Sequence, residues 1–391
     1  MMTALTRLLG GIASLRLTIV CLAAALVLVF AGTLAQVRLG LYFVQEHYFQ
    51  SWFVWWSASA GGFRIPVFPG GHLIGGVLLV NLVAAHIRRF SWSWRKLGIQ
   101  LIHLGIIIML AGGLATDLFS VTSNMRIKEG ASKNYSEDTS RRELAVIDLT
   151  DPKIDKVTAV PGELLADGGT ITHESLPFTI IVRSFYRNSH LEMTGQADSK
   201  AVPASSNGAG ARISVKTMPR ATKMDERDVM SAVLEIIPAK GGKSLGTWLV
   251  SDLMVAPQEF DLDGRHWSLQ LRPTRYYKNY SLTLQDFTHE VYPGTRIPKN
   301  FSSKITLTDD EHRERRQVVI YMNHPLRYLG DTYYQSGFEP DNSGTILQVV
   351  RNPGYQAPYI ACVIVSIGLI FQFTLHLTGF ARRIKPAADD P

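Results

Sequence analysis

The chain has 391 residues and a formal charge of +7, with 46% hydrophobic but only 19% charged residues, where an ordinary soluble domain carries about 25% charge. The deficit is concentrated in a few long apolar runs, which excludes a disordered chain, a disulfide scaffold and an ordinary cytosolic enzyme. Two cysteines, Cys21 and Cys362, are too few for a disulfide framework or a thiolate metal site, and both sit in apolar runs as bulky buried thiols. The positive excess reads as the cytoplasmic flanks of a membrane protein, with no call for nucleic acid.

Four stretches reach the roughly 20 mostly apolar residues that a bilayer demands. They cover about 17–37, 71–87, 99–118 and 358–380. The first lacks a clear small-residue cleavage site and is followed by further spans, so it reads as a retained helix and not a signal peptide. Arg7 and Arg16 precede it; Arg88, Arg89, Arg95 and Lys96 crowd the link between the second and third; Arg382, Arg383 and Lys385 follow the fourth. The positive-inside rule then places both termini in the cytoplasm and the segment between the third and fourth spans outside it. Trp52, Trp55, Trp56, Trp92 and Trp94 read as interfacial anchors in contact with lipid.

The expected fold class is therefore a membrane protein of four transmembrane α-helices with a large, mainly-β extracytoplasmic domain inserted between the third and fourth. The expected divisions are 1–118, 119–355 and 356–391. The middle segment is a succession of short alternating runs, among them RELAVIDL, FTIIVRSFY, ARISVKTM, SAVLEII, WSLQLRP, SLTLQDF, KITLTD, RQVVIYMN and TILQVVR. That alternation is the period of a half-buried strand, and two stacked antiparallel sheets are the expected class. Residues 196–211 read as a small, polar surface loop, and Asp309-Asp310-Glu311 as a solvated turn. The segment shows no catalytic constellation: His173, His190, His266, His289, His312 and His324 are scattered at no ligand spacing.

Ionisable groups inside spans are costly, so they are the candidates for function. His103 stands about one turn into the third predicted span, with glycines at 105, 112 and 113; His86 and His376 stand near the inner ends of the second and fourth. Neutral imidazole is a good iron ligand, and an apolar interhelical groove suits a porphyrin. A histidine at a helix end can equally extend to the headgroups. Spacing alone leaves both readings open.

In this order the residues carry a family resemblance. LRLTIVCLAAALVLVFAGTLAQ and WRKLGIQLIHLGIIIMLAGGL, with its His-Leu-Gly at 103–105, are similar to the first and third spans of the ResB (CcsB) component of System II cytochrome c biogenesis. LPFTIIVRSFY resembles a strand of that family's exported domain, and the stretch 318–354 before the last span is the most specific similarity. The resemblance implies a non-catalytic or co-catalytic subunit of a haem lyase complex in the plasma membrane. It implies a polytopic ResC (CcsA) partner, haem b as the transported group, and apocytochrome c as the acceptor. It also implies that His103 ligates the haem iron together with a histidine of the partner, with His86 and His376 as further candidates. Arg88, Arg89, Arg95 and Lys96 are candidates for the propionates. The chain has Trp55-Trp56 but no Trp-Trp-Asp run, so it departs from a fused ResB–ResC protein. Residues 318–354 read either as strand, tight turn and strand, or as a partner-facing patch of tyrosine and arginine. The alternative function is a membrane-anchored scaffold whose β domain binds an exported protein and whose histidines bind nothing.

Overall fold

A computed structural model of the chain describes residues 10–57, 63–194, 202–221, 227–239, 241–295 and 298–384. The chain divides into a helical unit, Met1–Val121 with Arg351–Pro391, and a β unit, Thr122–Ala221 with Asp225–Val350. Arg7 and Lys385 of the basic flanks lie outside the described residues.

The helical unit contains α1 (Leu15–Leu39), α2 (Gly71–Arg89), α3 (Trp94–Phe119) and α4 (Ala357–Ile384). All four are long and apolar enough to cross a membrane, and the chain is a multi-pass membrane protein. Each helix is longer than the apolar run that marks it, because backbone hydrogen bonding continues into the polar flanks. The Ser14 hydroxyl caps α1 by accepting from the Leu17 amide at 3.3 Å, and Gly40, at φ 83°, ends it. α3 starts five residues before its apolar run, so His103 is its tenth residue, about 13 Å from the helix end and not one turn inside it.

The link between α1 and α2, which carries few basic residues, is ordered. A π-helical turn (Gln45–Phe49) leads into a hairpin of β1 (Phe53–Ser57) and β2 (Arg64–Pro69). Tyr48, Phe49, Val54 and Phe68 pack around Cys21, Leu28 and Ile74 of α1 and α2. Trp52, Trp55 and Trp56 are exposed, as are Trp92 and Trp94. Buried Asn81 joins the two helices: its Oδ1 accepts from the Thr18 hydroxyl at 2.7 Å, and its Nδ2 donates to the carbonyls of Ser14 and Ile12.

α3 and α4 meet along Gly98, Gly105 and Gly112, all buried and seven residues apart. A Cβ on Gly105 would stand 2.5 Å from Val365 Cγ2, and one on Gly112 2.1 Å from Ala357 Cβ. Small residues at this spacing let the backbones approach closely, the packing that membrane helices use in place of a hydrophobic drive. Ala361 occupies the seam on α4, so its neighbour Cys362 is exposed; only Cys21 is the buried thiol expected of both.

The β unit runs β3 (Val121–Lys128), β4 (Ser132–Asp148), β5 (Lys156–Pro161), β6 (Gly169–Ile171), β7 (Phe178–Tyr186), β8 (Ser189–Met193), β9 (Ile213–Thr217), β10 (Ser231–Pro238), β11 (Thr247–Ser251), β12 (Gln258–Leu262), β13 (Arg265–Val291), β14 (Pro298–Asp309), β15 (Glu314–Tyr321), β16 (Leu326–Tyr328), β17 (Asp331–Phe338) and β18 (Gly344–Arg351). The large sheet has the order β15-β14-β13-β4-β3-β18-β17-β16, with β12 and β5 also pairing on β13 and β4. A second sheet has the order β11-β10-β7-β6. One core lies between these sheets, with Leu144, Phe178, Leu234, Trp267 and Leu269 at its centre. A second core gathers Met125, Leu282, Ile305, Tyr333 and Leu347. β13 serves both. The runs WSLQLRP and SLTLQDF are one strand of 27 residues, broken in register at Pro273 but not ended there.

Three local expectations change. Residues 196–201 of the small polar loop lie outside the described residues, but Ser205 and Gly210 in its remainder are buried, and Asn207 bridges to Trp248. Asp309 is no solvated turn residue: it is buried, accepts from the His312 amide and the Tyr328 hydroxyl, and is held below the usual carboxylate range by them. In 318–354 the tight turn falls at Leu329-Gly330, both at positive φ, between β16 and β17. Tyr333 there is fully buried and Gln335 is bonded to Ser303 and Thr345, so these two face the core and not a partner.

Candidate functional site

α2 and α3 are joined by the short link Phe90–Ser93, which makes them antiparallel neighbours. Their seam carries two pairs of polar side chains. At the basic end His86 meets His103, with ring centroids 6.5 Å apart and planes at 88°. At the other end His72 Nε2 contacts Asp117 Oδ2, and Gln50 Nε2 donates to Asp117 Oδ1 at 3.0 Å. Fourteen residues separate the pairs on each helix (72 to 86, 103 to 117), about 21 Å of rise. The equal spacing fixes the register of the seam. The same register sets Gly76 level with Gly113, and a Cβ on either would meet no atom within 4 Å.

His86 and His103 are half-buried in this seam. Neither ring has a hydrogen-bond partner among the described residues. His103 faces the α2–α3 seam because a position two before Gly105 turns away from α4 on a helix of 3.6 residues per turn, and His86 meets it from α2. The aromatic ring of Phe90 lies 6.0 Å from His86 and closes the basic end.

The arrangement fits metal ligation through imidazole. The two rings lie edge to face with centroids 6.5 Å apart, so they are the imidazoles of the helical unit that the fold brings together. Among the described residues no group of three His, Cys, Asp or Glu gathers as a metal cage.

His376 does not join the pair. It bonds Gln372 Nε2 at 2.9 Å and is exposed. Gly98 of α3 stands against Gly368 and Gln372 of α4, and this antiparallel register sets His376 level with residue 92, about 16 Å along the axis from His103. Arg88, Arg89 and Arg95 are exposed at the basic end. The Arg88 guanidinium covers Gly10, at 3.0 Å from where a Cβ would stand. Sequence reading passed over His72 and Asp117; the signal available was their helical spacing of fourteen from the two histidines.

The scattered histidines of the β unit have local partners. His173 bonds Ser175, His266 bonds Asp261, and His312 bonds Asp309. His324 stacks on Tyr321.

Comparison with known proteins now bears on this arrangement. The model of the ResB-like family matches residues 259–346, which run from β12 into β18. In that segment the chain is similar to the ResB-like family. It is 23% identical over 303 residues to protein NrfI of Wolinella succinogenes, across 76% of this chain and 29% of that protein. It is 28% identical over 165 residues to the cytochrome c biogenesis protein CcsB of a Synechococcus, across 40% of this chain and 37% of that protein. The chain thus spans about a third of the length of the curated relatives it matches. The family match falls in the β unit, whereas the paired histidines lie in the helical unit.

Proposed function

We propose that this chain is a subunit of a cytochrome c biogenesis machinery that holds haem b within the membrane and helps to present it for covalent attachment to an apocytochrome c. The observation that carries the reading is the perpendicular pair His86–His103 at the basic end of the α2–α3 seam, without a hydrogen-bond partner among the described residues. His103 is the iron ligand, set about a third of the way along α3. His86 stands where it can take the opposite axial position, or yield it to a histidine of a ResC-type polytopic partner. Exposed Arg88, Arg89 and Arg95 supply cations for the two propionates at the basic end, where arginine pairs well with carboxylate.

In this reading both termini are cytoplasmic, the basic end of the seam is the inner end, and the β unit is outside the cytoplasm. Ligation by imidazole keeps the iron in place while the ring stays in apolar surroundings. No side chain of the seam is placed to add a thiol to a vinyl group, so the covalent step falls to the partner. The relative named for cytochrome c biogenesis and the family match in the β unit support the assignment.

The test is the haem content of the full chain purified with its partner. His103→Ala is expected to lose the co-purified haem, and added imidazole to restore it. His86→Ala is expected to shift the Soret band or weaken retention. Full pigment in His103→Ala would leave only the scaffold reading.

A further inference from the structure

The basic end of the helical unit carries cations with no counter-charge. Arg88 and Arg89 close α2, and Arg95 and Lys96 lie in the first turn of α3. All four are exposed, and none makes an ion pair or a side-chain hydrogen bond among the described residues. No Asp or Glu precedes Glu46, and none occurs between Glu46 and Asp117. Asp117 itself stands at the opposite end of the α2–α3 seam, against His72. The arginines of the β unit behave otherwise: Arg142, Arg183, Arg272 and Arg275 each meet a carboxylate.

We propose that this end of the helical unit binds the headgroup phosphate of an acidic phospholipid in the leaflet that it faces. The helices that carry the cations are long and apolar enough to cross a membrane, so lipid headgroups are the first anions within reach. Four or more Lys and Arg beside a spanning helix attract anionic lipid. The rings between them favour a lipid surface over a soluble acidic protein. Phe90, Trp92 and Trp94 are exposed, Trp92 at 89% and Trp94 at 77%. Indole settles at headgroup level, with an apolar layer directly beneath the phosphates. Helix stability accounts for only half of the charge. Arg88 and Arg89 suit the C-terminus of α2, but Arg95 and Lys96 oppose the dipole at the start of α3.

The local structure gathers these groups on one short link. The Ser91 carbonyl accepts from Gln100 Nε2 at 2.7 Å, and the Lys96 amide donates to the Ser93 carbonyl at 3.0 Å. Trp94 lies against Phe371 of α4, with ring centroids 6.4 Å apart. Arg88 is laid over Gly10, where a Cβ would stand 3.0 Å from its Nη1. The arginines are the ones assigned above to the haem propionates. Carboxylate and phosphate are alternative occupants of one cationic surface, so the inference goes beyond the haem reading and does not rest on it.

The experiment reconstitutes the full chain, in the His103→Ala background so that propionates do not compete, into liposomes of phosphatidylcholine with a minor share of phosphatidylglycerol. The chain is extracted in mild detergent, and the lipid it retains is measured by mass spectrometry. The expected result is phosphatidylglycerol enriched several-fold over its share of the liposome. Arg95→Gln/Lys96→Gln should return the ratio to that of the liposome, each cation near an anionic surface contributing about fivefold. Arg38→Gln/Arg64→Gln removes the same charge at the other end of α1 and α2 and should keep the enrichment. All four side chains are exposed, so both variants should melt with the parent chain in pure phosphatidylcholine nanodiscs. Retained lipid in liposome proportion in the parent chain would overturn the proposal. So would equal losses in the two double variants, which would mean that only total charge counts.

Discussion

The helical unit and the β unit treat buried polar groups in opposite ways. In the β unit they are consumed by the fold: Lys278 Nζ meets Asp331 Oδ2 at 2.8 Å, Tyr280 donates to the same carboxylate at 3.0 Å, and Tyr280 and Tyr333 share a 2.6 Å hydrogen bond. Burial and this neighbouring carboxylate push the Tyr280 phenol far above its ordinary range, so it stays neutral as a donor. Arg272 and Glu143, both buried, pair at 2.9 Å. In the helical unit Asn81 is similarly used, but His86 and His103 are not. A polar group that no fold interaction employs is the better pointer to function. By that criterion Nε2 of His289 and the indole nitrogens of Trp248 and Trp267 stand apart within the β unit.

The contrast breaks most visibly if the two kinds of polar group are removed. Lys278→Met removes the ammonium that meets the fully buried Asp331 carboxylate, and loss of one member of a buried pair costs about 3–5 kcal/mol. Thermal unfolding of the full chain in detergent should show the β unit melting well below the wild type. His86→Phe removes an imidazole with no hydrogen-bond partner and should change the melting of the helical unit by less than about 1 kcal/mol. Equal losses for the two variants would show that the membrane histidines are structural after all.

The next effect tests the packing that frees one face of α3. Gly105→Leu forces a side chain into Val365 and the Ala361 carbonyl, and overpacking of this kind costs about 1–3 kcal/mol. Gly113→Leu points into open space and should cost little. Heat-induced aggregation in detergent should begin at a lower temperature for the first variant only. His72→Ala is expected to be milder, at about 1 kcal/mol, since it removes one contact from a half-exposed pair. Its mark should be faster hydrogen exchange in the last turn of α3, where Asp117 keeps only Gln50.

The spans were legible because some twenty apolar residues have no other economical use, and His103 was legible as an ionisable group among them. The pairing of His103 with His86 was not, because it depends on how a four-residue link sets the antiparallel register. The grouping of His376 with them failed for the same reason: nearness to the inner end of each span says nothing about level once α3 is found to start at Trp94. Pro273 hid the length of β13, since a proline ordinarily ends a central strand; here a register shift absorbs it. His289 and Asn342 are 53 residues apart, and only the return of β17 and β18 brings them together.

The smallest effect concerns the exposed surface of the β unit, where charge should matter least. His266 Nδ1 lies 2.8 Å from Asp261 and Nε2 3.3 Å from Glu259, and these raise its pKa above the ordinary value, the hydrogen bond to Asp261 most strongly. A histidine whose folded pKa is raised stabilises the fold fully below its unfolded pKa of about 6.5, and that contribution is lost as pH climbs through the folded value. Asp261→Asn should therefore move the His266 midpoint downward in a histidine-selective NMR titration. Because the imidazole and both carboxylates are open to solvent, the variant should leave the melting temperature nearly unchanged at pH 5 and at pH 8. A clear loss of stability confined to pH 5 would mean that surface charge supports this edge of the sheet, and the division between consumed and idle polar groups would then have to be drawn by partner and not by burial.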